Sequence, residues 1–246
     1  MESYSNLSEG QLSFLISSCL SLELYEEAYE FSKELQVTNK SRLNENQRNL
    51  YMRSMKGKLN VERNAWKILV DFENYEGNKE LLPRKLLEEK KNFLEEEIKK
   101  LCVEVTENCE VLESNLTPNE YEAKIFYLKL KADYLRYLGE ITSEEDFKNY
   151  KEICKSFYDE AYELCQKKLQ PTSPLFLSVA LNYSVFLYTL NDNLLEAYNK
   201  ANDVYKLAML KLVPEQKIPE VENILKSLEE NLTIWRIELA ENNGKN

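Results

Sequence analysis

Lys129, Asp133, Arg136 and Tyr137 fall on one stripe of the helix that KLKADYLRYLGE, residues 129–140, is composed to form. The stretch has no Gly or Pro before Gly139, and residues seven apart return to one face after about two turns. Leu128, Leu135 and Leu138 are left to pack elsewhere. Asp133 stands three residues before Arg136, a spacing at which a carboxylate can hold a guanidinium in one orientation. A held Arg beside a Tyr hydroxyl presents a planar fork and a neutral donor, an arrangement suited to an oxyanion such as phosphate. Taken alone, the segment reads better as a solvated helix face with an ordinary ion pair.

The elements that must position these residues are helical. Only five Gly and six Pro occur in 246 residues, which points to long helices joined by short turns. Apolar spacing and breakers give helices at about 5–19, 21–36, 44–76, 84–113, 118–139, 143–169, 175–190, 194–212 and 220–240. Thr117 reads as the N-cap of the fifth, with Pro118 at its first position. The expectation is an all-α chain with one nine-helix domain over 1–240 and a short disordered tail over 241–246.

Composition excludes several chemistries. There is no histidine, so Ser–His–Asp and Cys–His catalysis and the commonest zinc ligand are absent. The five cysteines, Cys19, Cys102, Cys109, Cys154 and Cys165, form no CxxC pair and read as buried thiols of a reducing compartment. With 32 basic and 43 acidic residues the formal net charge is −11, which argues against general nucleic-acid or anionic-membrane binding. No apolar run approaches a membrane span and no signal peptide is evident, so a cytoplasmic protein is expected, with no cofactor and no metal.

Four helices carry polar residues at two-turn spacing: Lys56 and Arg63, then Lys129, Arg136 and Tyr137, then Asn182 beside Leu181 and Val185, then Asn231 before Trp235. Each is weak alone. Their order matters more, because NLYMRSMKGKLNVERNAW (49–66), KLKADYLRYLGE (129–140), PTSPLFLSVALNYSVFLY (171–188) and ENLTIW (230–235) resemble the 14-3-3 family in sequence and spacing. The resemblance implies a cup-shaped nine-helix fold with an amphipathic groove, usually dimeric, that binds phosphoserine or phosphothreonine segments of client proteins as an adaptor without catalysis. Carried over by position, Lys56, Arg63, Arg136 and Tyr137 would hold the phosphate, and Asn182 and Asn231 the peptide backbone. Leu181, Val185, Ile224 and Trp235 would line the groove, with Lys129 and Asp133 beside them. Charge-assisted hydrogen bonds of this kind contribute on the order of 1.5–3 kcal/mol each.

This chain also departs from the family pattern. Thr189 stands where the family has Glu, Glu62 where Arg is usual, and Asn223 and Ser227 replace apolar groove residues. These changes put the choice of flanking residues in doubt. At the implied dimer interface Leu24 replaces an Arg and Phe93 a Lys, while Glu27 and Glu97 keep their acids and Ser18 takes an apolar position. The expectation is a weaker homodimer, or a heterodimer with another family member. The rival reading is a divergent scaffold that has weakened or lost phosphopeptide binding. An enzyme is disfavoured, since no nucleophile–base pair or phosphate-binding glycine loop is visible.

Overall fold

The computed structural model describes residues 7–39, 42–74, 84–212 and 218–244. Among these residues all regular structure is helical, in nine helices: α1 (Glu9–Ser21), α2 (Tyr25–Thr38), α3 (Glu45–Asn74), α4 (Arg84–Ser114), α5 (Tyr121–Ile141), α6 (Glu144–Lys168), α7 (Pro174–Thr189), α8 (Leu194–Lys211) and α9 (Pro219–Gly244). The chain groups into two compact units, Met1–Thr117 and Pro118–Asn246. The connectors expected after the second, third and eighth helices fall partly outside the described residues.

In the first unit α1 begins at Glu9, where Ser8 and Gln11 form a capping box, rather than at residue 5. It ends later than its apolar pattern suggests. Glu23 adopts φ 59°, and Leu24 N–H reaches back to the Cys19 carbonyl at 2.9 Å, so the chain leaves the helix through a left-handed residue. Leu20 therefore belongs to the core face of α1, and Leu24 is the N-cap of α2 rather than a residue on its face. Leu12, Ile16, Ala28, Leu35, Met55, Leu59, Ile98 and Val105 fill the core between α1, α2, α3 and α4. A buried Ser32 hydroxyl donates to Ser54 at 2.9 Å, satisfying both across α2 and α3. Tyr29 bridges to Glu104 on α4.

The second unit is built on α5, which is buried along almost its whole length. It starts at Tyr121 with Glu120 as N-cap, and Thr117 and Pro118 lie outside it. The same Thr-Pro-x-Glu signal serves a turn between units as well as a helix start. Gly139 does not stop the helix. It has no positive φ, and an added Cβ would lie 2.7 Å from the Phe147 ring and 2.9 Å from Leu190, so close packing explains the glycine. Side-chain caps from Ser143 to Asp146 N–H and from Asn193 to Glu196 N–H start α6 and α8, as their sequences predict. The last helix continues through residues 241–244, which the sequence reading assigned to a disordered tail. All five cysteine side chains are buried thiols.

Gly57 marks a close crossing of α3 on α2, since a Cβ there would overlap the Tyr25 ring. Gly57→Ala should destabilise the chain by about 1–3 kcal/mol through overpacking. Gly10→Ala, with nothing within 4 Å, should be neutral or slightly stabilising. Chemical denaturation of both variants checks the contrast.

Candidate functional site

A helix buried on every side ordinarily carries no charge, yet α5 buries Lys129, Lys131, Asp133 and Arg136 together. The solvated-face reading of this segment is thereby overturned, and each charge needs a partner. Lys129 Nζ lies 2.6 Å from Asp133 Oδ2, one turn along the helix. The other carboxylate oxygen, Asp133 Oδ1, accepts from the Tyr158 hydroxyl on α6 at 2.6 Å and from Asn182 Nδ2 on α7 at 2.8 Å. Burial alone would raise the Asp133 pKa, but the Lys129 and Arg136 charges and the bonds from Lys129 and Tyr158 hold it below its ordinary value.

Arg136 is not oriented by Asp133 as its spacing suggests. Its Nη1 pairs with Glu140 Oε1 at 3.0 Å, and its guanidinium carbon lies 4.5 Å from the centre of the Tyr137 ring. Asp133 has three other donors and reaches Arg136 only through its field. Burial opposes the Arg136 charge, but Tyr158, Tyr137, Asp133 and Glu140 outweigh it, so the guanidinium stays ionised. Its Nε is buried and meets no hydrogen-bond acceptor. The guanidinium is thus fixed and charged, with one buried donor unmet.

The structure thus brings Lys129, Asp133 and Asn182 into one network and sets Arg136, Tyr137 and Glu140 beside it on the same helix. Leu181, Val185, Ile224 and Asn231 are partly buried in the second unit. Trp235 is only 2% exposed and packs against the Tyr188 ring at 5.4 Å. Thr189 is exposed, with its hydroxyl turned back to the Val185 carbonyl at 2.9 Å. Asn223 is exposed and Ser227 partly buried.

In the first unit Lys56 is exposed on α3 and Arg63 is partly buried two turns later, with Nη1 3.5 Å from Asn60 Oδ1. Burial, together with the nearby charges of Glu97 and Glu26, raises the Glu62 pKa against the opposing pull of Lys58.

The helix count among the described residues agrees with the resemblance, and a direct comparison decides it. A model of the 14-3-3 protein family matches residues 15–236. The chain belongs to the 14-3-3 family. Nine helices among the described residues fit the 14-3-3 fold, and none of them is long and apolar enough to cross a membrane.

The sequence reading missed two site residues. Tyr158 and Glu140 each partner a predicted one, but a tyrosine 25 positions away carries no periodic signal. Glu140, four residues after Arg136, did carry one, as an i,i+4 ion pair.

Asp133→Asn should cost about 3 kcal/mol at neutral pH, the usual scale for stranding one partner of a buried pair. Because the folded Asp133 pKa is depressed, its stabilisation is complete above the ordinary carboxylate value and is lost as pH falls through the folded value. Urea denaturation from neutral to strongly acidic pH should show the two chains converging at the acid end.

Proposed function

We propose that this 14-3-3 chain is a cytoplasmic, non-catalytic adaptor that binds phosphoserine or phosphothreonine segments of client proteins, with Arg136 as the central phosphate contact. The observation that supports this most is the buried, charged Arg136 whose Nε has no acceptor. A phosphate brings several oxygens and close to two negative charges at neutral pH, enough to compete with Glu140 for Nη1. The Tyr137 ring against the guanidinium limits the rotation of the fork. Lys56 and Arg63, on the first unit, are assigned to phosphate by the family resemblance alone. Asn182 and Asn231 take the peptide backbone, and Leu181, Val185, Ile224 and Trp235 the apolar flanks. Thr189, Asn223 and Ser227 weaken the preference for apolar flanking residues and tolerate acidic ones. The scaffold alternative requires a phosphate site that has decayed, and Arg136 is still held ready for an anion.

Arg136→Ala should weaken a phosphoserine peptide by at least about 100-fold and leave far-UV circular dichroism unchanged. Arg136→Lys should recover only part, since an ammonium replaces the charge but not the fork. Fluorescence anisotropy with phosphorylated and unphosphorylated peptides reads both. Equal affinity of the unaltered chain for the two peptides would remove the adaptor reading.

The adaptor is proposed to work as a dimer formed through its first unit. Phe14 (71%), Leu22 (69%), Leu24 (42%) and Phe93 (55%) are exposed there, a set of apolar side chains that a second copy would cover. Glu27 is exposed and Glu97 partly buried, with Leu24 and Phe93 standing where the family offers their cations. Ser18 is tied back to the Phe14 carbonyl at 2.9 Å and adds no apolar contact. The dimer should therefore be weak and governed by apolar burial. Sedimentation velocity should find its dissociation constant moving less than about threefold between low and high salt. A monomer at every concentration, or steep dissociation by salt, would refute it.

A further inference from the structure

Asp133 joins three helices, and the chemistry of that junction fixes which way Asn182 faces. An ionised carboxylate can only accept hydrogen bonds, so the Asn182 group turned to Asp133 Oδ1 at 2.8 Å is its NH2. The Asn182 amide oxygen is then turned away from Asp133 as a fixed acceptor, beside the second N–H of the same NH2, and Asn182 is partly exposed on α7. An asparagine held this way offers its oxygen to a peptide N–H.

What holds Asp133 is a hydroxyl outside the predicted site. Tyr158 donates to the same Oδ1 at 2.6 Å from α6 and is fully buried. Its ring stacks on Tyr183 at 5.2 Å with 8° between the planes, and the Tyr183 hydroxyl donates to Asp159 Oδ1 at 2.5 Å. Asp159 is in turn paired with Lys155 at 2.7 Å. The Tyr158 ring is therefore fixed from both sides, and its hydroxyl sets the plane of the carboxylate from a helix that carries none of the predicted contacts. Without it the carboxylate would be held by Lys129 and Asn182 alone, and rotation about its Cβ–Cγ bond would release the Asn182 amide to flip.

We propose that Tyr158 is a positioning residue that, through Asp133, locks Asn182 as an acceptor for one backbone N–H of the bound phosphosegment. This rests on the phosphopeptide reading above and adds to it a specificity. One peptide position must carry an N–H, so proline is rejected there and an ester in place of that amide is penalised.

The test is an ester scan of a phosphoserine peptide, each backbone amide replaced in turn, against the unaltered chain and Tyr158→Phe. One ester should weaken binding to the unaltered chain about tenfold, the scale of one hydrogen bond to an otherwise unmet acceptor. The same ester should weaken binding to Tyr158→Phe less than about threefold, with penalties elsewhere unchanged. Equal penalties in both chains, or no sensitive position in the unaltered chain, would overturn the proposal.

A second readout needs no ligand. In ¹⁵N spectra of the unliganded protein the Asn182 side-chain amide should exchange slowly with water, and Tyr158→Phe should speed it while the helical signal is kept. A fast-exchanging Asn182 amide in the unaltered chain would overturn the proposal even where the variant fails to fold. Equal affinity for phosphorylated and unphosphorylated peptides would overturn the phosphopeptide reading and the ligand half of this proposal. A slow amide that Tyr158→Phe releases would still identify Tyr158 as the residue that fixes Asn182.

Discussion

A carboxylate sealed inside a bundle of helices stays ionised only when donors and cations surround it, and Asp133 is met by a donor from each of three helices. The other charges of the second unit are arranged around that requirement. Lys129 is neutralised by it, Asn182 is oriented by it, and Arg136 one turn away is left to find Glu140. Arg136 pairs with Glu140 because the neighbouring acid already has its full set of partners.

Such an arrangement costs stability relative to an apolar core, because each buried charge has given up its hydration. The aromatic rings packed around it offset part of that cost. Tyr158, Tyr183, Phe186 and Tyr162 form a continuous cluster between α6 and α7, and Lys200 lies 4.8 Å from the Tyr183 ring. These rings give large buried area with few rotatable bonds, so the hydroxyls at their tips hold position without much loss of entropy. The polar network and the core of the second unit are thus the same set of side chains.

The first unit uses polar groups differently. Its polar contacts tie helices together in pairs, such as Ser32 to Ser54 and Tyr29 to Glu104, while Lys58 pairs with Glu26 and Lys91 with Glu73 nearer the surface. Its surface exposes Phe14, Leu22 and Phe93, apolar side chains that suit contact with another protein surface better than permanent contact with water.

The sequence by itself determined the class, the number of helices and most of their span, because 3.6-residue periodicity and the scarcity of Gly and Pro are local signals. It also supplied the positions that match the family, since motif and order are properties of the chain. Tertiary structure decided what local signals cannot. Gly139 looks like a helix stop but is a point of close packing, Thr117 and Pro118 look like a cap but lie before the helix, and Leu24 moved from the face of α2 to its end because Glu23 turned left-handed. The largest difference concerns charge. Lys129, Asp133 and Arg136 read as a wet helix face, because a helical pattern shows which side chains share a stripe but not what covers it. Only the packing of α6 and α7 on α5 brought Tyr158 and Asn182 to Asp133, and burial made that carboxylate choose them over the arginine three residues away.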